Sequence, residues 1–209
     1  MLNDFFDWLQ NSWGAQTPGD GTSYSQLLLS SLNFWGLLEG THLLMLMLFF
    51  GTILLVDLRM LGIGFREYRI SVLSNRVLPL TVVAFLFMVV TGLLLFFAKP
   101  EIYWHNLWFR LKLVLLVVAV INIVVFHYMV QKNQAAWDEL PRPPPKVRMS
   151  ALISLTSWIL IIAFGRFIAY NWFECGKPQP DWVNSVQECA ASSKGAQNLA
   201  GLSTGGGEH

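Results

Sequence analysis

Four long apolar runs, roughly Phe34–Val56, Val77–Ala98, Leu107–Gln131 and Met149–Trp172, leave this chain few ways to fold. Each is about as long as the ~20 residues a helix needs to cross a ~30 Å hydrocarbon core. Of the 209 residues, 13% are charged, about half the ~25% of soluble domains. Mean hydropathy is +0.48. The expected fold is all-α: a polytopic membrane protein built as a four-transmembrane-helix bundle. Residues 1–30 then form an N-terminal segment with its linker, 31–172 the bundle, and 173–209 a tail whose end reads as disordered. There is no internal repeat and no room for a separate soluble domain.

Orientation follows from the basic residues. The loop after the first run carries Arg59, Arg66, Arg69 and Arg76, and the loop after the third carries Lys132, Arg142, Lys146 and Arg148. Outside the runs, only Lys99, Lys177 and Lys194 lie in the remaining segments. Positive-inside counting places both basic loops in the cytoplasm and both termini in the periplasm of a bacterial inner membrane. A net charge of +1 gives no support to nucleic-acid binding.

The cysteines fit that orientation. Cys175 and Cys189 both lie in the tail, around a turn-rich Gly-Lys-Pro-Gln-Pro stretch, and an oxidising compartment favours a disulfide between them. A metal-binding pair is the alternative, although no further Cys or His stands nearby. At the other terminus, Met1–Trp13 lacks the basic start of a signal peptide. Phe5, Trp8, Leu9 and Trp13 are spaced like one face of a short amphipathic helix. Such a helix would cap its own bundle, lie on the membrane surface or meet a partner subunit.

The two cytoplasmic connections read as structural. Asp57 and Arg59 cap the inner end of the first run, and Gly62-Ile63-Gly64 breaks it. Arg66–Arg76 is placed along the inner headgroups. The run Pro141-Arg142-Pro143-Pro144-Pro145 cannot continue a helix and predicts a stiff, extended spacer, with a proline-rich docking motif as the alternative.

Ionisable residues within the runs are more informative, because each costs ~3 kcal/mol or more near a bilayer centre. Glu39, His42, Arg110, Lys112 and Arg166 stand near the same ends of three runs. At ~1.5 Å per residue they lie ~5 to ~9 Å below the outer boundary. Glu39 and His42, three apart, share a helix face. Arg110 and Lys112 are two apart and diverge, so at most one faces His42 while the other snorkels outward. His105 joins the Lys112 face if the third helix begins early enough. Trp35, Trp104, Trp108, Tyr170 and Trp172 ring this level as an interfacial belt.

Several chemistries suit such a site. A structural one is an ion-pair network, Glu39 with Arg166 or Lys112, locking helices together. Haem b is a second: His42 supplies an axial imidazole, His105 is the candidate second ligand, and Arg110, Lys112 or Arg166 pairs with propionates. His127, near the inner end of the third run, is an interfacial residue on this reading. A third is metal. Glu39-x-x-His42 is half of a helix-bundle di-metal motif whose other half is missing, and copper could use His42 with Met45 or His105. A quinone held by His42 and Arg166 is the fourth.

Short motifs carry a family resemblance over about residues 36–170. They are Glu-Gly-Thr-His-Leu-Leu around His42, Asp57-Leu58-Arg59-Met60-Leu61-Gly62, Thr91-Gly92, and Trp108-Phe109-Arg110-Leu111-Lys112-Leu113 with His127 downstream. The pattern resembles bacterial four-helix membrane modules of the copper-resistance protein D type and the HemJ-type protoporphyrinogen oxidases. It is equally similar to an uncharacterised bacterial family with the Asp-Leu-Arg-hydrophobic-Leu-Gly signature. The HemJ likeness implies haem b on His42, with Lys112 at the matching third-helix position. Glu39, the cysteine-bearing tail and the proline run are not part of that pattern. The expectation is a redox-linked membrane subunit that binds one haem b or a quinone within a respiratory or dehydrogenase complex. A copper-handling protein and a cofactor-free structural subunit are the alternatives.

Overall fold

The computed structural model describes residues 2–15, 22–130, 136–138, 140, 142–170 and 180–187. In chain order the helices are α1 (Leu2–Asn11), α2 (Tyr24–Ser30), α3 (Leu32–Leu61), α4 (Ile70–Ala98), α5 (Pro100–Trp104), α6 (Leu107–Val125), α7 (Pro145–Ala169) and α8 (Asp181–Gln187). A single π-helical turn, Phe126–Val130, continues α6. The described residues contain no strand. Four helices, α3, α4, α6 with its π turn, and α7, are long and apolar enough to cross a membrane. The fold is therefore an all-α four-helix membrane bundle. The outward surfaces of α4 and α6 are covered with Leu, Val, Ile and Phe, as lipid-embedded helices require.

Helices α3, α4 and α7 begin before their apolar runs and α3 also continues past its own, and local chemistry explains these ends. Ser31 caps α3 by accepting from Phe34 N at 3.3 Å, and Gly62 ends it in the left-handed conformation at φ 73°. Asp57 and Arg59 are therefore inside α3 and buried, rather than at its end as the sequence suggests. Helix α4 starts seven residues before Val77, because Asp138 caps it from a distant loop. The Asp138 carboxylate accepts from Ser71 N at 2.7 Å and also from the Ser71 hydroxyl. A carboxylate at a helix N-terminus satisfies orphan N–H groups and complements the dipole. Helix α7 begins within the proline run: Pro144 is extended and Pro145 occupies the first turn, where its missing N–H costs nothing.

The main packing runs α4–α3–α7–α6, placing α4 and α6 at the two edges. Phe49 of α3, Ala84 and Met88 of α4, Ala119 of α6, and Trp158 and Ile161 of α7 form the central core. Toward the end bearing the arginines, Asn122 Nδ2 donates to Ser150 O and Ser150 Oγ donates to Asn122 Oδ1, each at 3.0 Å. This reciprocal pair ties α6 to α7, as polar side chains do between membrane helices.

The short helices gather at the opposite end. Helix α1 packs beside α5, α2 against α4, and α8 beside α6. Phe6 and Leu9 are the buried face of α1, while Phe5 and Trp8 are half exposed. Of the Phe5, Trp8, Leu9 and Trp13 face read from spacing, Leu9 is thus turned inward, with Phe6 in place of Phe5 and Trp8. Phe6 packs on Trp104 and Phe96, and Trp13 on Tyr24 and Phe97. Ser25 Oγ donates to the Ala98 carbonyl at 2.7 Å, satisfying a helix-end acceptor that lipid could not. Cys175, Cys189, Trp172 and the end of the tail lie outside the described residues.

Candidate functional site

His42 points from α3 against α4, and a glycine makes this approach feasible. A Cβ on Gly92 would stand only 3.1 Å from His42 Cε1. The adjacent Thr91 Oγ1 is 2.9 Å from His42 Nδ1. That hydroxyl has one proton, and it donates to the Phe87 carbonyl at 2.7 Å. With that proton on Phe87 O, Thr91 Oγ1 accepts from His42 Nδ1–H, and Nε2 keeps its lone pair. Thr91 is buried, so the relay Phe87 O–Thr91–His42 is fixed in an apolar setting.

Lys112 enters from the other helix pair. Its Nζ would be 3.6 Å from a Cβ on Gly165 of α7, and its charge is close enough to act on the His42 imidazole. His42 and Lys112 thus share one level of the bundle. One turn further toward the capped end, Phe96 of α4 and Phe109 of α6 stack with centroids 5.3 Å apart and planes 5° apart. On the other side lies the central core, with Met45, Phe49 and Met88. A neutral acceptor and a cation are therefore held between an aromatic roof and an apolar floor.

The other expected site residues are placed elsewhere. His105 precedes α6, because Asn106 caps that helix through Trp108 N at 2.9 Å and Phe109 N at 3.3 Å. It is buried and its Nδ1 donates to the Gln187 carbonyl of α8 at 2.8 Å, so it is off the Lys112 face. Arg110 turns outward, donating to Trp104 O at 2.9 Å and Val186 O at 2.6 Å. Its guanidinium also lies 5.3 Å from the Trp104 ring. Arg166 is exposed and donates to the Tyr170 hydroxyl at 2.8 Å. Glu39 is exposed too. Its carboxylate acts on Tyr103: burial first, then this negative charge, holds the phenol above its ordinary value of 10.0. His127 is on the π turn at the arginine-bearing end, edge-on to Tyr128. His42 therefore packs on α4 and Lys112 on α7, while His105 is tied to α8, Arg110 to Trp104 and Val186, and Arg166 to Tyr170.

Among the described residues, no group of three or more His, Cys, Asp and Glu is arranged to hold a metal. Thr91 and Gly92 are the partners that sequence reasoning did not place in the site. Their signal was present: counted from Ala98, Thr91 is ~10 Å deep, level with His42. A Thr-Gly pair in an otherwise apolar run at that depth marks a helix that accepts a side chain from its neighbour.

No curated protein and no solved structure matches this chain. Residues 23–171, from just before α2 to just beyond α7, match one family model, so the chain belongs to the DUF6644 family, a family of unknown function.

Proposed function

We propose that this chain is a redox-linked subunit of a bacterial inner-membrane complex, holding one haem b, or a quinone head in its place, at His42 and Lys112. The observation that carries this is the 2.9 Å contact between His42 Nδ1 and Thr91 Oγ1, whose own proton has the Phe87 carbonyl as partner, which favours the Nδ1–H tautomer. Axial imidazoles in metalloproteins have this arrangement, with one nitrogen held by an acceptor and the other left as a donor of its lone pair. A bound haem or quinone would supply the electron transfer itself. Lys112 would meet a propionate or a quinone oxygen, and the Phe96–Phe109 stack would exclude water. Among the described residues, His42 is the one imidazole at this level, since His105 is engaged with Gln187. The donor set therefore suits a haem with a single protein ligand. A copper site at His42 and Met45 and a cofactor-free structural subunit remain the competing classes.

Absorption spectra and organic extraction of the purified full chain test this. A Soret and α band, or a co-extracted quinone, is expected and should be lost in His42→Ala. Thr91→Val should keep the protein folded yet weaken retention and shift the spectrum, because the tautomer is no longer fixed. Wild-type protein from native membranes with neither cofactor sinks the proposal, and stoichiometric copper lost in His42→Ala favours the copper class.

The termini are assigned to the periplasm on the arginine distribution, and the Cys175–Cys189 disulfide belongs with that orientation. Reporter fusions at Trp137 and in the tail should give opposite signals. Thiol labelling without reductant should find no free cysteine.

A further inference from the structure

The arginine-bearing end contains a second built site. Arg59 is only 1% exposed. Two of its guanidinium nitrogens are used: Nε donates to Tyr68 O at 2.7 Å and Nη2 to Leu140 O at 3.2 Å. Its Nη1 is buried and has no hydrogen-bond partner, which is costly for a charged donor. Arg59 lines a recess of about 200 Å³ together with Arg66, Glu67, Tyr68 and Arg69. Arg66 also borders an adjoining recess of about 280 Å³, shared with Leu61, Ile63, Arg142 and Arg148. Five guanidiniums thus line two recesses that meet at Arg66. Among the described residues, the facing carboxylates are Glu67 and Asp138, and Asp138 is already occupied in capping α4.

We propose that these recesses bind a phosphate oxyanion, presented in the membrane by the headgroup of an anionic phospholipid. Guanidinium forks match phosphate oxygens bidentately, and five of them line these two recesses. Location fits the source. Arg59 is within a turn of the end of α3, and Ile63, Phe65 and Tyr68 are exposed beside it, offering apolar contact at the headgroup boundary. The proline run also bears on the site: buried Pro143 follows Arg142, and Pro144 caps the start of α7. This site is independent of the His42–Lys112 site.

The full chain, purified in detergent and stripped of lipid, tests the assignment by native mass spectrometry and thermal shift. The probes are phosphatidylglycerol, phosphatidylcholine and inorganic phosphate. Wild type should retain phosphatidylglycerol at least about tenfold more tightly than phosphatidylcholine. Failure of millimolar phosphate to displace it identifies the lipid as the source, whereas equal competition by phosphate identifies the free anion. Arg142→Gln/Arg148→Gln should lose the preference about tenfold or more, since each removes a charge-assisted contact. Arg76→Gln/Lys146→Gln, at the same end but outside the recesses, should leave it intact. Arg59→Gln should abolish it, but that residue also ties two loop carbonyls, so the exposed pair decides. Equal binding of both lipids with no response to phosphate overturns the proposal. So does an unchanged preference in Arg142→Gln/Arg148→Gln, or an equal loss in the control pair.

Discussion

Gly92→Ala separates close packing at the site from ordinary helix energetics. In an unhindered helix the change stabilises by up to ~1 kcal/mol, the difference in propensity between Gly and Ala. At Gly92 the new methyl would stand 3.1 Å from His42 Cε1 and 3.7 Å from Nδ1. The imidazole is the end of a side chain that can turn, but only by stretching its 2.9 Å contact with Thr91. Losing that hydrogen bond costs ~0.5–1.5 kcal/mol, and overpacking typically costs ~1–3 kcal/mol. The balance is a net loss of roughly 0.5–3.5 kcal/mol. Gly40→Ala is the internal control, because a Cβ there meets nothing within 4 Å. Reversible unfolding of both variants in detergent, followed by circular dichroism, should therefore move in opposite directions. Any His42-dependent absorption band should also shift in Gly92→Ala alone. If Gly92→Ala is as stabilising as Gly40→Ala, His42 does not pack on α4 as described, and the tautomer assignment fails with it.

Asp138→Ala should destabilise the protein by ~1–2 kcal/mol, since it removes the cap on α4, and hydrogen exchange should rise first at Ser71 and its neighbours. Asn122→Ala should cost ~1 kcal/mol, near the range measured for hydrogen bonds between membrane helices. Matched unfolding of Asn122→Ala, Ser150→Ala and the double variant should reveal coupling, and strict additivity would refute the reciprocal pair. Tyr103 should ionise above its ordinary value of 10.0. A raised phenol favours the protonated native state, so its contribution is complete below the unfolded value and is lost as pH rises through the folded one. Phenolate absorbance should show Glu39→Gln lowering that midpoint without restoring the ordinary value, because burial is the larger cause.

The sequence by itself determined the four membrane helices, the Gly62 break and the level at which ionisable residues cluster. These depend on local quantities: apolar length, helix rise and glycine's access to positive φ. Depth alone could not decide which residues meet, because side chains at one level point around a full circle. Glu39, Arg110 and Arg166 share the depth of His42 yet face outward, and only the packing order α4–α3–α7–α6 reveals it. His105 left the site through a local event, the Asn106 cap, which restarts the helix one residue after it. Asp57 and Arg59 read as end caps because charged residues flanking an apolar run are usually exposed. Tertiary structure instead buried them, Arg59 by contacts with carbonyls nine and 81 residues away. The Asp138 cap on Ser71 spans 67 residues, and Gln187 holds His105 across 82. No local pattern encodes such distances; they exist because buried backbone groups must find partners wherever the fold brings them.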